Sequence, residues 1–197
     1  ILPCYNEEKS LNKVINDIKN NIKEYKDYTI FVIDNNSTDQ SAQIAIDNGC
    51  TLIKETHQGK GNVIKRAFQD IDSQAYFMID SDDTYGVKDI DKSISLVLND
   101  KYDMVIGDRL STTYYTENKR VFHNVGNDLV RLGINKLFKG NVNDILTGYR
   151  CFSNRFVKTF PVMSDGFQIE TEMTIHLLDN SYRYICQPID YKDRAID

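Results

Sequence analysis

Along this 197-residue chain, short runs of β-branched and aromatic residues alternate with longer stretches in which apolar residues return every three or four positions. The first pattern is that of a strand covered on both faces, and the second that of a helix lying against such a strand. Residues 1–2, 29–34, 51–54, 75–79 and 104–106 read as strands. Between the first two, Leu11, Val14, Ile15, Ile18 and Ile22 recur at helical spacing behind Ser10, a residue type that caps helices. The spacing predicts further helices over 41–48, closed by Gly49 in a left-handed cap, and over 62–70, 88–98, 121–138 and 169–180. In the long helix 121–138, Phe122, Val125, Leu129, Leu132 and Phe138 read as a core-facing stripe. Strand–helix alternation of this kind predicts an α/β fold, an open and mostly parallel central sheet with helices on both faces.

The alternation stops after Ile106. The stretch GDRLSTTYYTENKR, residues 107–120, is polar and has neither period, so it is either disordered or an ordered substrate loop. No repeat, low-complexity tract or Pro/Gly-rich linker divides the chain, and its length suits one domain.

Composition narrows the function classes. At 41% hydrophobic and 27% charged residues the chain is an ordinary globular one, and its net charge of −5 argues against a nucleic-acid partner. Cys4, Cys50, Cys151 and Cys186 are too far apart for a zinc or redox spacing and fit a reducing compartment. No apolar run approaches the ~18 residues that cross a bilayer. The chain opens without Met inside an apparent strand, so it is read as part of a longer protein whose flanking segments could hold a membrane.

Candidate chemistry gathers where an open parallel sheet binds its ligands, in the loops at the carboxyl ends of the strands. These loops read PCYNEE, DNNSTDQS, ETHQGKGN, DSDDTYG and GDRL. Asp80 and Asp82 flank Ser81, and two carboxylates at that spacing can meet at one point if a cation occupies it. Hard oxygen donors with few protein contacts suit Mg²⁺ or Mn²⁺, whose remaining positions take substrate phosphate oxygens. A solvated acidic turn capping the next helix is the competing explanation. Gly59-Lys60-Gly61 precedes a helix and could bring backbone amides and an ammonium to phosphate, although neither the Walker spacing nor the dinucleotide fingerprint is present. His57, His123 and His176 are scattered and suggest no hydrolase triad or zinc site. His123, at the start of the long helix, reads as a partly exposed residue.

Taken in order, PCYNEE, VIDNNSTDQS, GKGNVIKRAF, DSDDTY, DMVIGDRL, NDILTGYRCFS and GFQIETEM resemble the family 2 glycosyltransferases of GT-A fold. The branch resembled is the one that includes dolichol-phosphate mannose synthase and the polyprenyl-phosphate sugar transferases. The resemblance covers nearly the whole chain and implies a nucleotide-sugar-binding half, 1–107, and an acceptor-side half, 108–197. It implies that Pro3, Tyr5, Glu7 and Asp34 hold base and ribose. Asn35 stands where many relatives carry a second aspartate. Asp80, Ser81 and Asp82 match the DxD motif that holds the metal and donor diphosphate, with Asp83 behind them. Lys60, Arg109 and Arg150 become the cations that meet phosphate. Glu170 matches a general base with Glu172 supporting it, and Asp144 is a second candidate; an acceptor phosphate, already anionic, would need no strong base.

The resemblance therefore implies a metal-dependent, inverting transfer of a sugar from a UDP- or GDP-sugar to an acceptor, with a polyprenyl phosphate at the cytoplasmic face of a membrane the leading choice. A non-lipid glycan acceptor remains open. So does a non-catalytic nucleotide-sugar-binding subunit. A sugar-phosphate nucleotidyltransferase is disfavoured because PCYNEE lacks the glycine-rich first loop of that class.

Overall fold

The structure, a computed structural model, describes residues 1–111, 121–192 and 194; for 121–128 the description is of the backbone alone. The strands are β1 Leu2–Cys4, β2 Phe31–Asp34, β3 Thr51–Lys54, β4 Ala75–Met78, β5 Met104–Asp108, β6 Arg150–Ser153 and β7 Tyr184–Pro188. The helices are α1 Leu11–Asn21, α2 Ser41–Asp47, α3 Lys60–Asp70, α4 Ile90–Leu98, α5 Val121–Phe138, α6 Asn154–Thr159 and α7 Ile169–Asp179.

Two sheets are formed, β3-β2-β1 and β4-β6-β5-β7. They meet along one edge, where the Ile1 nitrogen donates to the Phe77 carbonyl at 2.7 Å and the Ile79 amide to the Ile1 carbonyl at 3.2 Å. Pairing is parallel throughout β1–β3 and between β5 and β7, and antiparallel on both sides of β6. Two large buried clusters lie against the sheet: one joins α1, α2 and α4 to β1, β2 and the loop after β4, and the other joins α3, α5, α6 and α7 to β4–β6.

Local sequence explains most of these elements. In α1, Leu11, Val14, Ile15 and Ile18 are buried as their spacing requires, but Ser10 makes no capping bond; its Oγ donates instead to the Glu7 carboxylate at 3.0 Å. Gly49 follows α2 with φ 69°, the left-handed region that glycine adopts at low cost. The stripe expected in α5 holds at Phe138 and is corrected at Leu129 and Leu132. Leu129 and Leu132 are 73% and 63% exposed, while Ile134 and Phe138, one helical turn apart, face the core. The side chains of Phe122, Val125 and His123 lie outside the described residues, as does the stretch 112–120. Strands β6 and β7 and helix α6 carry no periodic signal that the sequence reading resolves.

Candidate active site

The loops after β1, β2, β4 and β5 lie at the carboxyl ends of their strands, and cross-bonds fix them to one another. The Asn6 and Glu7 amides donate to Ser37 Oγ and Ser41 Oγ at 3.0 and 2.8 Å, and the Thr38 amide returns to Asn6 Oδ1 at 2.8 Å. Ser81, fully enclosed, donates from Oγ to the Pro3 carbonyl at 2.7 Å and so ties the acidic turn to the first loop. The C-terminal segment closes the other side: the Gly86 amide donates to Asp190 O and the Lys192 amide to Thr84 O, at 2.9 and 2.8 Å.

On this platform Tyr5 is half-exposed, Glu7 is bonded by Ser10 and Arg194, and Asp34 is buried at the end of β2 with Oδ1 accepting the Ser37 amide. Burial, together with the nearby Asp82 charge, pushes the Glu7 carboxyl above the usual glutamate range although Ser10 and Arg194 oppose this. Asn35 is oriented inward. Its Nδ2 donates to the Glu55 and His57 carbonyls and its Oδ1 accepts the Gly59 amide at 2.7 Å, so its amide holds the loop before α3 and is not directed at a ligand.

The two motif aspartates have different surroundings. Asp80 Oδ1 accepts from the Lys60 ammonium at 2.6 Å, and the same ammonium donates to Glu170 Oε1 at 2.6 Å. Burial alone would lower the Lys60 pKa, but the Asp80 and Glu170 charges outweigh it and hold the ammonium above its ordinary range. A Cβ on Gly148 would lie 2.2 Å from Asp80 Oδ2, so the glycine of TGYR is the residue that lets this carboxylate pack against the backbone. Asp82 Oδ1 accepts from the Thr84 amide and hydroxyl at 3.2 and 2.7 Å, and among the described residues Oδ2 makes no hydrogen bond. Asp83, at φ 60°, bridges Lys13 and Lys192 and ties α1 to the C-terminal segment.

Four expectations change. The amides at the start of α3 are not presented to phosphate, because those of Gly61 and Asn62 donate to the Asp165 carbonyl at 2.9 and 3.3 Å. A Cβ on Gly61 would stand 1.8 Å from the Ser164 carbonyl oxygen, so this glycine serves the crossing of two backbones. Arg150 is withdrawn from the acceptor site. It is fully buried under β6, donating to the carbonyls of Thr147, Ile145 and Glu170 and to Thr174 Oγ1, and burial lowers its pKa. Asp144 is equally buried, and its two oxygens grip Arg109 Nε and Nη2 at 2.6 and 2.9 Å; it positions that arginine and has no route to a substrate proton. Finally, Asp80 is not left unpaired beside Asp82, because Lys60 bonds its Oδ1 at 2.6 Å.

Other residues complete the rim without having been marked in the sequence. The Arg109 guanidinium stands 5.1 Å from the Tyr191 ring, donates to Tyr85 Oη at 3.4 Å, and Tyr85 Oη accepts the Gly148 amide at 2.8 Å. Phe167, three-quarters exposed, places its ring 5.9 Å from the Lys60 ammonium. Glu172 turns away from Glu170 and caps the amides of Met163 and Ser164, both at 2.8 Å, as a two-residue helical offset requires. Tyr85 follows the acidic motif and Tyr191 stands near the end of the sequence, and the antiparallel bridge between them brings them together.

A polar crevice at the strand ends of an α/β sheet, lined by carboxylates and two partly buried cations, fits the class of GT-A glycosyltransferase domains. The structure of glucosyl-3-phosphoglycerate synthase from Mycobacterium tuberculosis is similar in fold, with a TM-score of 0.77 at 20% identity over 98% of this chain and 71% of that one. That enzyme is also known in complex with Mn²⁺, uridine diphosphate and glucosyl-3-phosphoglycerate. Residues 1–163 match the model of glycosyl transferase family 2, and the chain belongs to that family. Glycosyltransferase AglJ of Haloferax volcanii is 31% identical over 198 residues, covering 98% of this chain and 62% of AglJ, so the chain spans less than two thirds of that relative. A dolichyl-phosphate hexose transferase of the same organism is 27% identical over 99% of this chain and 82% of its own length.

Proposed function

We propose that this domain transfers a sugar, with inversion, from a nucleoside-diphosphate sugar to a polyprenyl phosphate at the cytoplasmic face of a membrane. The observation that carries the reading is the open carboxylate oxygen of Asp82 in a crevice that also holds Glu7, Asp34, Lys60 and Arg109. Likeness to a dolichyl-phosphate hexose transferase favours the lipid-phosphate acceptor.

The residues present fit a divalent cation of one kind. Among the described residues no three His, Cys, Asp or Glu side chains converge, so an all-protein cage is not formed. Two carboxylates suit Mg²⁺ or Mn²⁺ completed by diphosphate oxygens and water. Asp82 would hold it through Oδ2, and Asp80 would contribute what its bond to Lys60 leaves. When bound, the ion neutralises charge developing on the departing diphosphate.

The protein's own groups do the rest. Tyr5, Glu7 and Asp34 bind the nucleoside, with Pro3 and Ser81 fixing the loop that carries them. Lys60 adds positive charge in a site where burial strengthens it. Arg109, aimed by Asp144 and the two tyrosines, offers its charge to an anionic acceptor. Glu170, held by the Lys60 ammonium it shares with Asp80, orients the sugar; a phosphate acceptor brings its own nucleophilic oxygen and leaves Glu170 no proton to remove.

The test is turnover of a panel of UDP- and GDP-sugars with Mg²⁺ or Mn²⁺. Expected are slow metal-dependent release of nucleoside diphosphate and its acceleration by a short polyprenyl phosphate. Binding without release would make the domain a nucleotide-sugar-binding module, and acceleration by a glycan hydroxyl acceptor alone would move Glu170 to the role of base.

A further inference from the structure

From Leu129 to Phe138, helix α5 lays one face on the domain, and among the described residues the opposite face is exposed. Ile134 and Phe138 pack inward, while Leu129, Leu132 and Leu137 are 73%, 63% and 78% exposed. At about 100° per residue, Leu129, Leu132 and Lys136 stand on one outward arc with Leu137 on its flank, and Lys139 follows just past the helix end. Both lysines are exposed. From Leu129 to Lys139 the sequence holds Arg131, Lys136 and Lys139 and no acid, in a chain whose net charge is −5. Scattered exposed leucines are ordinary, but three on one side of one helix, interleaved with lysine, form an amphipathic surface that water does not favour.

The charges select the occupant. Lysine stems lie along apolar surface while their ammonium groups reach anionic headgroups, and an amphipathic helix of this kind rests in the plane of a bilayer interface. We propose that the outer face of α5 seats the domain on an anionic membrane surface, with Leu129, Leu132 and Leu137 entering the headgroup–acyl boundary and Lys136 and Lys139 pairing with lipid phosphates. Among the described residues no helix is long and apolar enough to cross a membrane, so the contact made by this face is peripheral. Because α5 runs directly into the loop that carries Asp144 and Leu146, the same contact holds the Arg109 rim near the surface where a lipid phosphate is presented. The inference rests on the lipid-acceptor reading for its purpose; vesicle binding needs no turnover, so the two can fail separately.

The experiment is sedimentation of the 197-residue chain with vesicles of phosphatidylcholine alone and of phosphatidylcholine containing about one third phosphatidylglycerol. The wild-type chain is expected to sediment with the anionic vesicles and to be released by salt. A triple Leu129→Glu, Leu132→Glu, Leu137→Glu variant is expected to lose about tenfold or more of that binding with unchanged thermal melting and donor hydrolysis. Lys136→Glu with Lys139→Glu should remove the preference for anionic vesicles. The proposal is overturned if the wild-type chain stays in the supernatant with both vesicles, or if the triple variant sediments as the wild type does. It is equally overturned if the leucines prove to be a dimer seam, seen as a wild-type dimer by light scattering that the triple variant splits. Vesicle binding without donor hydrolysis supports this surface and counts against the transferase reading alone.

Discussion

The two halves of the domain handle charge in opposite ways. In the half built on β1–β4, polar residues stand at strand ends and face the crevice: Tyr5, Glu7 and Asp82 retain exposed surface. In the half built on β5–β7, two of the charged candidates, Arg150 and Asp144, are fully buried, and Arg109 alone of the candidate cations there reaches the rim. Parallel strands followed by crossover helices place their loops at one edge, so a charge there is a charge at the site. Strand β6 runs antiparallel between β4 and β5, and its first residue points Arg150 into the packing of α7. Standing next to a motif therefore leaves Glu7 and Asp82 at the crevice in the first half and puts Arg150 and Asp144 in the interior in the second.

The largest effect that would break this comparison concerns Arg150. Arg150→Ala takes a donor from the buried carbonyls of Ile145 and Thr147 and opens a cavity where a fully buried side chain stood, and is expected to cost about 3 kcal/mol or more of folding stability. Urea unfolding measures this; an unchanged midpoint with weakened acceptor use would return Arg150 to the site. Lys60→Met should come next. It leaves Asp80 and Glu170 without a counter-charge, so donor hydrolysis is expected to fall about a hundredfold. Donor hydrolysis at the wild-type rate would show Lys60 to be a bystander.

Smaller effects sharpen the same contrast. Gly148→Ala forces a methyl group against Asp80, 2.2 Å from Oδ2, and should weaken donor binding about tenfold while costing about 1–3 kcal/mol of stability. Intact donor affinity would mean that Asp80 can shift without consequence. Asp83→Asn is the smallest. The Asp83 carboxyl is partly buried, which alone would raise its pKa, but Lys13 and Lys192 hold it below the ordinary value of 3.8. The folded state thus favours the ionised form, so its stabilisation is present above that ordinary value and fades as pH falls through the lowered one. With both lysines half-exposed, the loss at neutral pH is expected to be at most about 1 kcal/mol, and absent in strong acid.

Legibility in the sequence followed the same divide. Strand β3 lies within its expected bounds because Thr51–Lys54 is a β-rich run between a helix-closing glycine and a polar loop. Helices α1 and α3 follow their buried spacings. The antiparallel β6 was missed because it begins with arginine, and β7 because Tyr184–Pro188 mixes Gln187 and proline into a half-buried edge. In the site, the strand-end acids were visible as residue types in order. Their partners were not: Lys60 meets Glu170 across 110 residues and Arg109 meets Asp144 across 35, distances that only the fold closes. Leu129 and Leu132 were assigned to the core face of α5 because apolar spacing alone does not say what covers a helix, while Phe138 of the same stripe packs as expected.

The most direct measurement is calorimetric titration of a nucleoside diphosphate with Mn²⁺ into the wild-type chain and into Asp82→Asn and Asp83→Asn. Wild type and Asp83→Asn should bind alike and only with the metal, while Asp82→Asn, still folded, should lose at least about tenfold in affinity and its dependence on Mn²⁺. Undiminished, metal-dependent binding by Asp82→Asn would contradict the account at its centre.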